Sequence, residues 1–136
     1  MPLVLDASAI IPLAMSDEDA AFSLKVLASL ADDGGVAPSL FWYEVCNVLA
    51  INERRQRIAP AVVDDFIGEL EKLPIQLSPT ASTQAVMQIV RQYQLTFYDA
   101  SYLELAIRMG AVLATQDGQL ARAALAANVP LFSAAS

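Results

Sequence analysis

The sequence of 136 residues contains no histidine, one cysteine and no long apolar run. Without histidine, the chain cannot build a Ser-His-Asp or Cys-His catalytic centre, nor a zinc protease site of the His-Glu-x-x-His type. One cysteine excludes an internal disulfide and a cysteine-rich zinc site, and it suits a reducing cytoplasm, where we expect the protein to act. No stretch approaches the ~18 consecutive apolar residues of a membrane-spanning helix. The N-terminus lacks the basic start of a signal peptide, since the first basic residue is Lys25, so we expect no membrane association.

Basic residues are also scarce. Eight Lys and Arg stand against 15 Asp and Glu, which gives a net charge of −7 and an isoelectric point near 4.3. This acidity argues against broad, sequence-independent binding of nucleic acid. Any hydrolytic chemistry has to come from carboxylates, and a metal held by oxygen alone would be Mg²⁺ or Mn²⁺ rather than Zn²⁺ or Cu²⁺. The length and the absence of a composition break predict one domain over residues 1–136.

Short apolar runs alternate with helical patterns along the chain. Strands are predicted at residues 3–5, 36–37, 111–114 and 129–132, and residues 75–77 are either a strand or a loop. Helices are predicted from Ala9 with Ser8 as the cap, from Ser16 to about residue 31, over 39–54, from Pro60 to before Pro74, and over 80–92, 98–109 and 117–127. This alternation predicts the α/β class, as a three-layer α/β/α sandwich around a mainly parallel sheet.

Two acidic residues follow predicted strands. Asp6 comes directly after the first strand, and Asp117 comes just after the strand at 111–114. In doubly wound sheets, ligands bind outside the carboxyl ends of the strands. Each aspartate taken alone is equally well explained as a helix cap.

Two further acidic residues lie in apolar helical segments. Glu44 is the only charge in residues 39–49, where it shares a helical stripe with Asn47 and Val48. A carboxylate on such a face needs an ion-pair partner or a metal, and both explanations stay open for Glu44.

Asp99 repeats this pattern on the helix predicted at 98–109. It shares one face with Tyr102, whereas Glu104 and Arg108 have the i,i+4 spacing of a solvent-exposed ion pair on the opposite face. A capping box formed with Thr96 also explains Asp99, and the two interpretations are compatible.

Together the four carboxylates predict a metal site at one edge of the sheet. Like charges about 4 Å apart repel by roughly 4 kcal/mol per pair at an effective dielectric near 20. No Lys or Arg adjoins any of the four in the sequence. A divalent cation is therefore the expected partner, and oxygen ligands favour Mg²⁺.

In chain order, four segments carry a resemblance to a known family: residues 3–8 (LVLDAS), 38–49 (PSLFWYEVCNVL), 98–106 (YDASYLELA) and 113–117 (LATQD). Together they resemble a PIN domain, and more narrowly the VapC toxins of bacterial toxin–antitoxin pairs. The resemblance implies a Rossmann-like sheet and a Mg²⁺- or Mn²⁺-dependent endoribonuclease that hydrolyses RNA phosphodiester bonds with a metal-activated water. It also implies a homodimer and a small antitoxin protein as partners.

The resemblance assigns roles to individual residues. It implies that the metal-binding and catalytic quartet is Asp6, Glu44, Asp99 and Asp117. It implies supporting polar positions at Ser8, Asn47 and Thr115.

The basic cluster of Arg54, Arg55 and Arg57 has two readings. It either contacts RNA phosphates at the mouth of the site or complements the dipole at a helix C-terminus. Apolar residues such as Phe22 and Leu24 exceed what one small core needs, which favours a dimer or antitoxin interface.

A non-catalytic module is the alternative function. A receiver-like signalling domain would hold Mg²⁺ beside a phospho-accepting aspartate, but Asp6 has no second acid beside it and no lysine follows Lys72. A degenerate PIN domain that binds RNA without cleaving it is the third reading.

Overall fold

Four short strands form one parallel sheet. The computed structural model describes residues 1–133, so the last three residues of the predicted domain lie outside the described residues. The strands are β1 (Leu3–Leu5), β2 (Gly35–Pro38), β3 (Ile75–Ser78) and β4 (Val112–Ala114), in the spatial order β3-β2-β1-β4. All three pairings are parallel, as strands joined by helical crossovers require. Because β2 and β4 lie on opposite sides of β1, the topological switch point falls between β1 and β4.

Residues 1–133 contain six α-helices, of which five connect the strands and the sixth follows β4. They are α1 (Ala21–Asp33), α2 (Leu40–Arg54), α3 (Pro60–Glu71), α4 (Thr83–Tyr93), α5 (Phe97–Met109) and α6 (Gly118–Ala126). The sheet order reverses after β3, so right-handed crossovers put α1 to α3 on one face and α4 to α6 on the other. Helix α5 packs across β1, β2 and β4, with α4 and α6 against it. The predicted three-layer α/β/α architecture is confirmed.

The core lies between the sheet and these helices. All three residues of β1 are buried, which is the continuous apolar pattern of a parallel strand covered on both faces. Every residue from Ala100 to Ala106 in α5 is also buried, so this helix is enclosed on all sides. The middle of α5 is therefore held in place by packing, whereas Phe97 and Tyr98 in its first turn are exposed.

Two glycines end helices. Gly34 (φ 73°) follows α1 and Gly110 (φ 59°) follows α5, both in backbone conformations that side chains disfavour. A Cβ atom at Gly34 would lie 3.0 Å from the carbonyl oxygen of Pro74. The structure also resolves the open choice at residues 75–77 in favour of a strand.

The predicted helix from Ala9 is wrong. Two short 3-10 helices, Ala7–Ala9 and Ile11–Ala14, occupy this part of the chain. Asp6 rather than Ser8 caps the first one, because its extended backbone lets its carboxylate accept the N–H of Ala9 at 3.2 Å. Ser16 does not cap α1 either, since that helix begins at Ala21, after the acidic residues 17–19.

Two other expectations need correction. The strand predicted at 129–132 is reduced to an isolated bridge between Leu131 and Leu113. Glu104 and Arg108 do form their ion pair, at 2.9 Å, but Glu104 is buried because α5 is enclosed. Within residues 1–133, no helix is long and apolar enough to cross a membrane.

Shortening a fully buried side chain of the sheet will destabilise the fold. Leu113 in β4 is fully buried, so Leu113→Ala should lower the free energy of unfolding by about 2–5 kcal/mol, as measured by urea denaturation. Leu77 in β3 is 39% exposed and is the matched control, for which we expect less than about 1 kcal/mol. Equal losses in the two variants would contradict the placement of the core.

Candidate active site

Asp6 lies at the carboxyl end of β1 and is only 5% exposed. Its carboxylate accepts hydrogen bonds from the hydroxyls of Ser8 and Thr115, each at 2.6 Å, and from the N–H of Ala9. Burial raises the pKa of Asp6 to about 6 against the lowering effect of these hydrogen bonds, and the charge of Glu44 adds to the rise. Asp6 is thus a carboxylate held in one orientation by three donors.

The loop after β4 carries Asp117 to the same edge of the sheet. Asp117 caps α6, since its Oδ1 accepts the N–H of Leu120 at 2.9 Å. The neighbouring Gln116 donates its backbone N–H to Ser8 Oγ at 2.7 Å and its side-chain amide to the Ser8 carbonyl oxygen at 3.1 Å. These contacts join the loops that follow β1 and β4.

Glu44 on α2 is bound to α5 through Tyr102. The phenol of the fully buried Tyr102 donates a hydrogen bond to Glu44 Oε1. Burial raises the pKa of Glu44, and this hydrogen bond opposes the rise. Burial, together with the neighbouring Glu44, raises the pKa of Tyr102, which keeps the phenol protonated as a donor.

Asp99 lies one turn before Tyr102 on α5, in the first turn of the helix. The predicted cap is present, because Thr96 Oγ1 accepts the N–H of Asp99 at 3.1 Å. Burial, followed by the negative charges of Asp117 and Glu44, raises the pKa of Asp99 to about 6.

All four predicted carboxylates line one cavity of about 460 Å³ at the switch point. Their donor set is oxygen only, with the hydroxyl of Ser8 beside them, which fits a hard cation rather than zinc. No three His, Cys, Asp or Glu side chains in residues 1–133 lie close enough to form a ready-made metal cage. Mg²⁺ usually keeps several waters and binds one or two carboxylates directly, so the cavity suits it. The four-residue ligand set stays a prediction.

One supporting residue was placed wrongly. Asn47 is exposed and does not line the cavity. The face of α2 that meets the cavity runs through Glu44, Val48 and Asn52, at steps of four residues, whereas Asn47 is three residues from Glu44. The buried Asn52 is the amide that the sequence interpretation missed, and the i,i+4 spacing was the signal for it.

The basic cluster divides in two. Arg54 and Arg55 are exposed at the C-terminal end of α2 and do not line the cavity, which favours the helix-terminus interpretation for these two residues. Arg57 does line it and forms ion pairs with Asp17 at 3.1 Å and Glu18 at 3.3 Å. Glu18 also lines the cavity, and the sequence carried no signal that distinguished it from its acidic neighbours.

The comparisons with known proteins agree with this geometry. A model of the PIN domain matches residues 3–125. The chain belongs to the PIN-domain family. A PIN relative from Mycobacterium tuberculosis (strain H37Rv), Ribonuclease VapC3, is 35% identical over 121 residues, which covers 89% of this chain and 86% of the relative. The same relative from strain CDC 1551 matches equally well. The VapC-like resemblance is confirmed.

Solved structures share the PIN fold. The crystal structure of PAE2754 from Pyrobaculum aerophilum has a TM-score of 0.73 and 25% identity, over 90% of this chain and 79% of that one. The structure of FitAcB from Neisseria gonorrhoeae has a TM-score of 0.60 and 16% identity, over 97% of both chains. At that identity the second likeness concerns the fold alone.

Removing one pocket charge should stabilise the metal-free protein at neutral pH. With a pKa of about 6, folded Asp99 binds its proton more tightly than the unfolded chain does, so its contribution is present below pH ~4 and lost as the pH rises through 6. In EDTA, Asp99→Asn should therefore melt near the wild-type temperature at pH 4.5 and several degrees above it at pH 7.5. Asp65→Asn, at an exposed site on α3, is the control. A difference that does not depend on pH would contradict the charge explanation.

The hydroxyl group of Tyr102 should contribute to the stability of the fold through its hydrogen bond to Glu44. Tyr102→Phe leaves the half-buried Glu44 without its donor and should lower the free energy of unfolding at pH 7.5 by about 1–3 kcal/mol. Tyr98→Phe, at a site 62% exposed on the same helix, should change it by less than about 0.5 kcal/mol. Urea titrations of both variants make the comparison.

Proposed function

We propose that this protein is a divalent-metal-dependent endoribonuclease and the toxin of a toxin–antitoxin pair. The observation that carries the proposal is one cavity lined by four carboxylates at the switch point of a PIN fold. The ribonuclease assignment is supported by the 35% identity to Ribonuclease VapC3 over most of the chain. A metal-assisted hydrolysis of RNA phosphodiester bonds is the chemistry that such a cavity supports best.

The four carboxylates of the cavity are the proposed metal ligands. PIN ribonucleases generally depend on a divalent metal, and the oxygen-only donor set makes Mg²⁺ or Mn²⁺ the ion we propose for Asp6, Glu44, Asp99 and Asp117. When bound, such an ion supplies an activated water and neutralises negative charge on the phosphate. Ser8 and Thr115 support the site by fixing the carboxylate of Asp6.

A carboxylate of the cavity takes the proton from the attacking water. The chain has no histidine, and the basic side chain that lines the cavity is the guanidinium of Arg57, which does not deprotonate in proteins. Tyr102 stays protonated and serves to hold Glu44 at Oε1. The hydrogen bonds to these carboxylates orient them, and an oriented carboxylate can accept a proton as a general base.

The acidity of the chain is compatible with an RNA substrate. Without the four cavity acids, 11 acidic residues remain against 8 basic ones, which changes the balance from −7 to −3. Much of the net charge thus belongs to the site, and RNA binding is local rather than spread over the surface. The one cysteine, Cys46, is a free exposed thiol, which fits action in the cytoplasm.

Protein partners are part of the proposal. On α1, Val26 and Leu30 are fully buried but Leu24 is 56% exposed, and an apolar cavity lies between this helix and α3, lined by residues such as Leu27 and Phe66. We propose that apolar surface of this kind binds a small antitoxin protein or a second copy of the chain. Light scattering after size-exclusion chromatography should give twice the chain mass of 14.6 kDa. A monomer at micromolar concentration would exclude the homodimer.

The nuclease assay tests the enzyme assignment. Purified protein should cleave structured RNA with Mg²⁺ or Mn²⁺ and lose this activity in EDTA. Asp6→Asn and Asp99→Asn should each lower the cleavage rate at least about 100-fold, because each removes a charge from the cavity. Asp65→Asn on α3 controls for the loss of one acid. Cleavage that survives chelation or both substitutions would refute the metal-carboxylate mechanism, and RNA binding without cleavage would favour the degenerate PIN domain.

A further inference from the structure

Arg57 is brought to the acidic cavity by a reversal of the chain. Helix α2 ends at Arg54, and Gln56 then adopts a left-handed backbone with φ of 60°. After this turn, the backbone N–H of Arg57 donates to the carbonyl oxygen of Asn52 at 2.9 Å. The side chain consequently runs back along α2, and among the residues 1–133 that line the cavity Arg57 is the one Lys or Arg.

The guanidinium is fixed by a buried amide on one side. Nη1 of Arg57 donates to Oδ1 of Asn52, which is 7% exposed. Asn52 is itself held by the hydrogen bond from its Nδ2 to the carbonyl oxygen of Val48 at 2.8 Å. The guanidinium of Arg57 is thus fixed, through Asn52, to the backbone of α2.

Two acidic side chains hold the other side of the guanidinium. Nη2 of Arg57 donates to Asp17 at 3.1 Å and to Glu18 at 3.3 Å. Both acids belong to the segment before α1, and their side chains are 59% and 38% exposed. Ion pairs this exposed are weak, so another anion can replace them at low cost.

We propose that Arg57 binds a phosphate of the RNA chain at the rim of the cavity, and that Asp17 and Glu18 compete with the RNA for it. This inference rests on the proposed ribonuclease function. Four carboxylates repel the RNA backbone, and a guanidinium fork is the side chain best shaped to bind phosphate beside them. Asn52 keeps the guanidinium in place when the phosphate displaces the two acids.

RNA binding without cleavage tests the proposal. All proteins carry Asp99→Asn, and the dissociation constant for a mixed-sequence single-stranded RNA is measured by fluorescence anisotropy. Arg57→Gln should weaken binding about tenfold and reduce the slope of log K against log salt by about 0.7. Arg91→Gln, the same charge change at an exposed site on α4, should have less than about a twofold effect.

Neutralising Asp17 and Glu18 should change the RNA affinity in the opposite direction to Arg57→Gln. Asp17→Asn with Glu18→Gln should tighten RNA binding by at least about threefold, and by clearly less when Arg57→Gln is also present. Asp32→Asn with Asp33→Asn, two exposed acids at the end of α1, measures the effect of net charge alone. Because Asp17 and Glu18 are exposed, this variant remains informative even if Arg57→Gln destabilises the fold.

The outcomes separate this inference from the proposed function. Equal effects of Arg57→Gln and Arg91→Gln would overturn it. So would a gain from the Asp17 and Glu18 substitutions that matches the Asp32 and Asp33 control or persists without Arg57. Either result alongside metal-dependent cleavage by the wild type would leave the ribonuclease standing. Absence of both RNA binding and RNA cleavage would refute the inference about Arg57 and the proposed ribonuclease function together.

Discussion

The cost of burying several carboxylates at the carboxyl edge of the sheet governs the local structure around the cavity. Asp6 accepts hydrogen bonds from two hydroxyls and a backbone N–H, and Glu44 accepts one from a buried phenol. Asp117 is placed against the amide end of α6, where the helix dipole favours negative charge. These donors offset part of the cost of burying charge, yet the pKa values of Asp6 and Asp99 remain near 6. The remaining cost of burial, together with the smaller repulsion between these charges, is what a divalent cation would relieve.

The topology of the sheet explains why these groups meet. β1 and β4 are neighbours with the switch point between them, so the residues that follow each strand share one crevice. Helix α5 lies across the same strands and is buried along its middle. Its first turn presents Asp99, and Tyr102 one turn later reaches the carboxylate of Glu44 on α2. Packing of one central helix therefore sets the positions of acids from two elements.

Asp6 and Asp117 were predictable because apolar runs mark strand ends, and parallel strands bring such ends together. Glu44 and Asp99 were predictable because a carboxylate in an apolar stripe is rare and costly. Asn52 was missed because the rotation of α2 about its axis depends on tertiary packing, which selects the i,i+4 row over Asn47. Arg57 could not be separated from Arg54 and Arg55, because the left-handed turn falls on a glutamine, which carries no local signal. The strand predicted at 129–132 is shortened to a single bridge, because the hydrogen bonds of Pro130 and Phe132 to β4 all go to Leu113.

The hydrogen bond between Thr115 and Asp6 joins residues 109 positions apart in the sequence. β1 precedes β4 in the chain by more than 100 residues, so neither their pairing nor the cavity between them can form before β4 has been made. The carboxylate of Asp6 has no Thr115 to orient it, and Asp117 is absent, until β4 and the loop after it have been made. An N-terminal fragment that stops before β4 would therefore lack the complete acidic cavity.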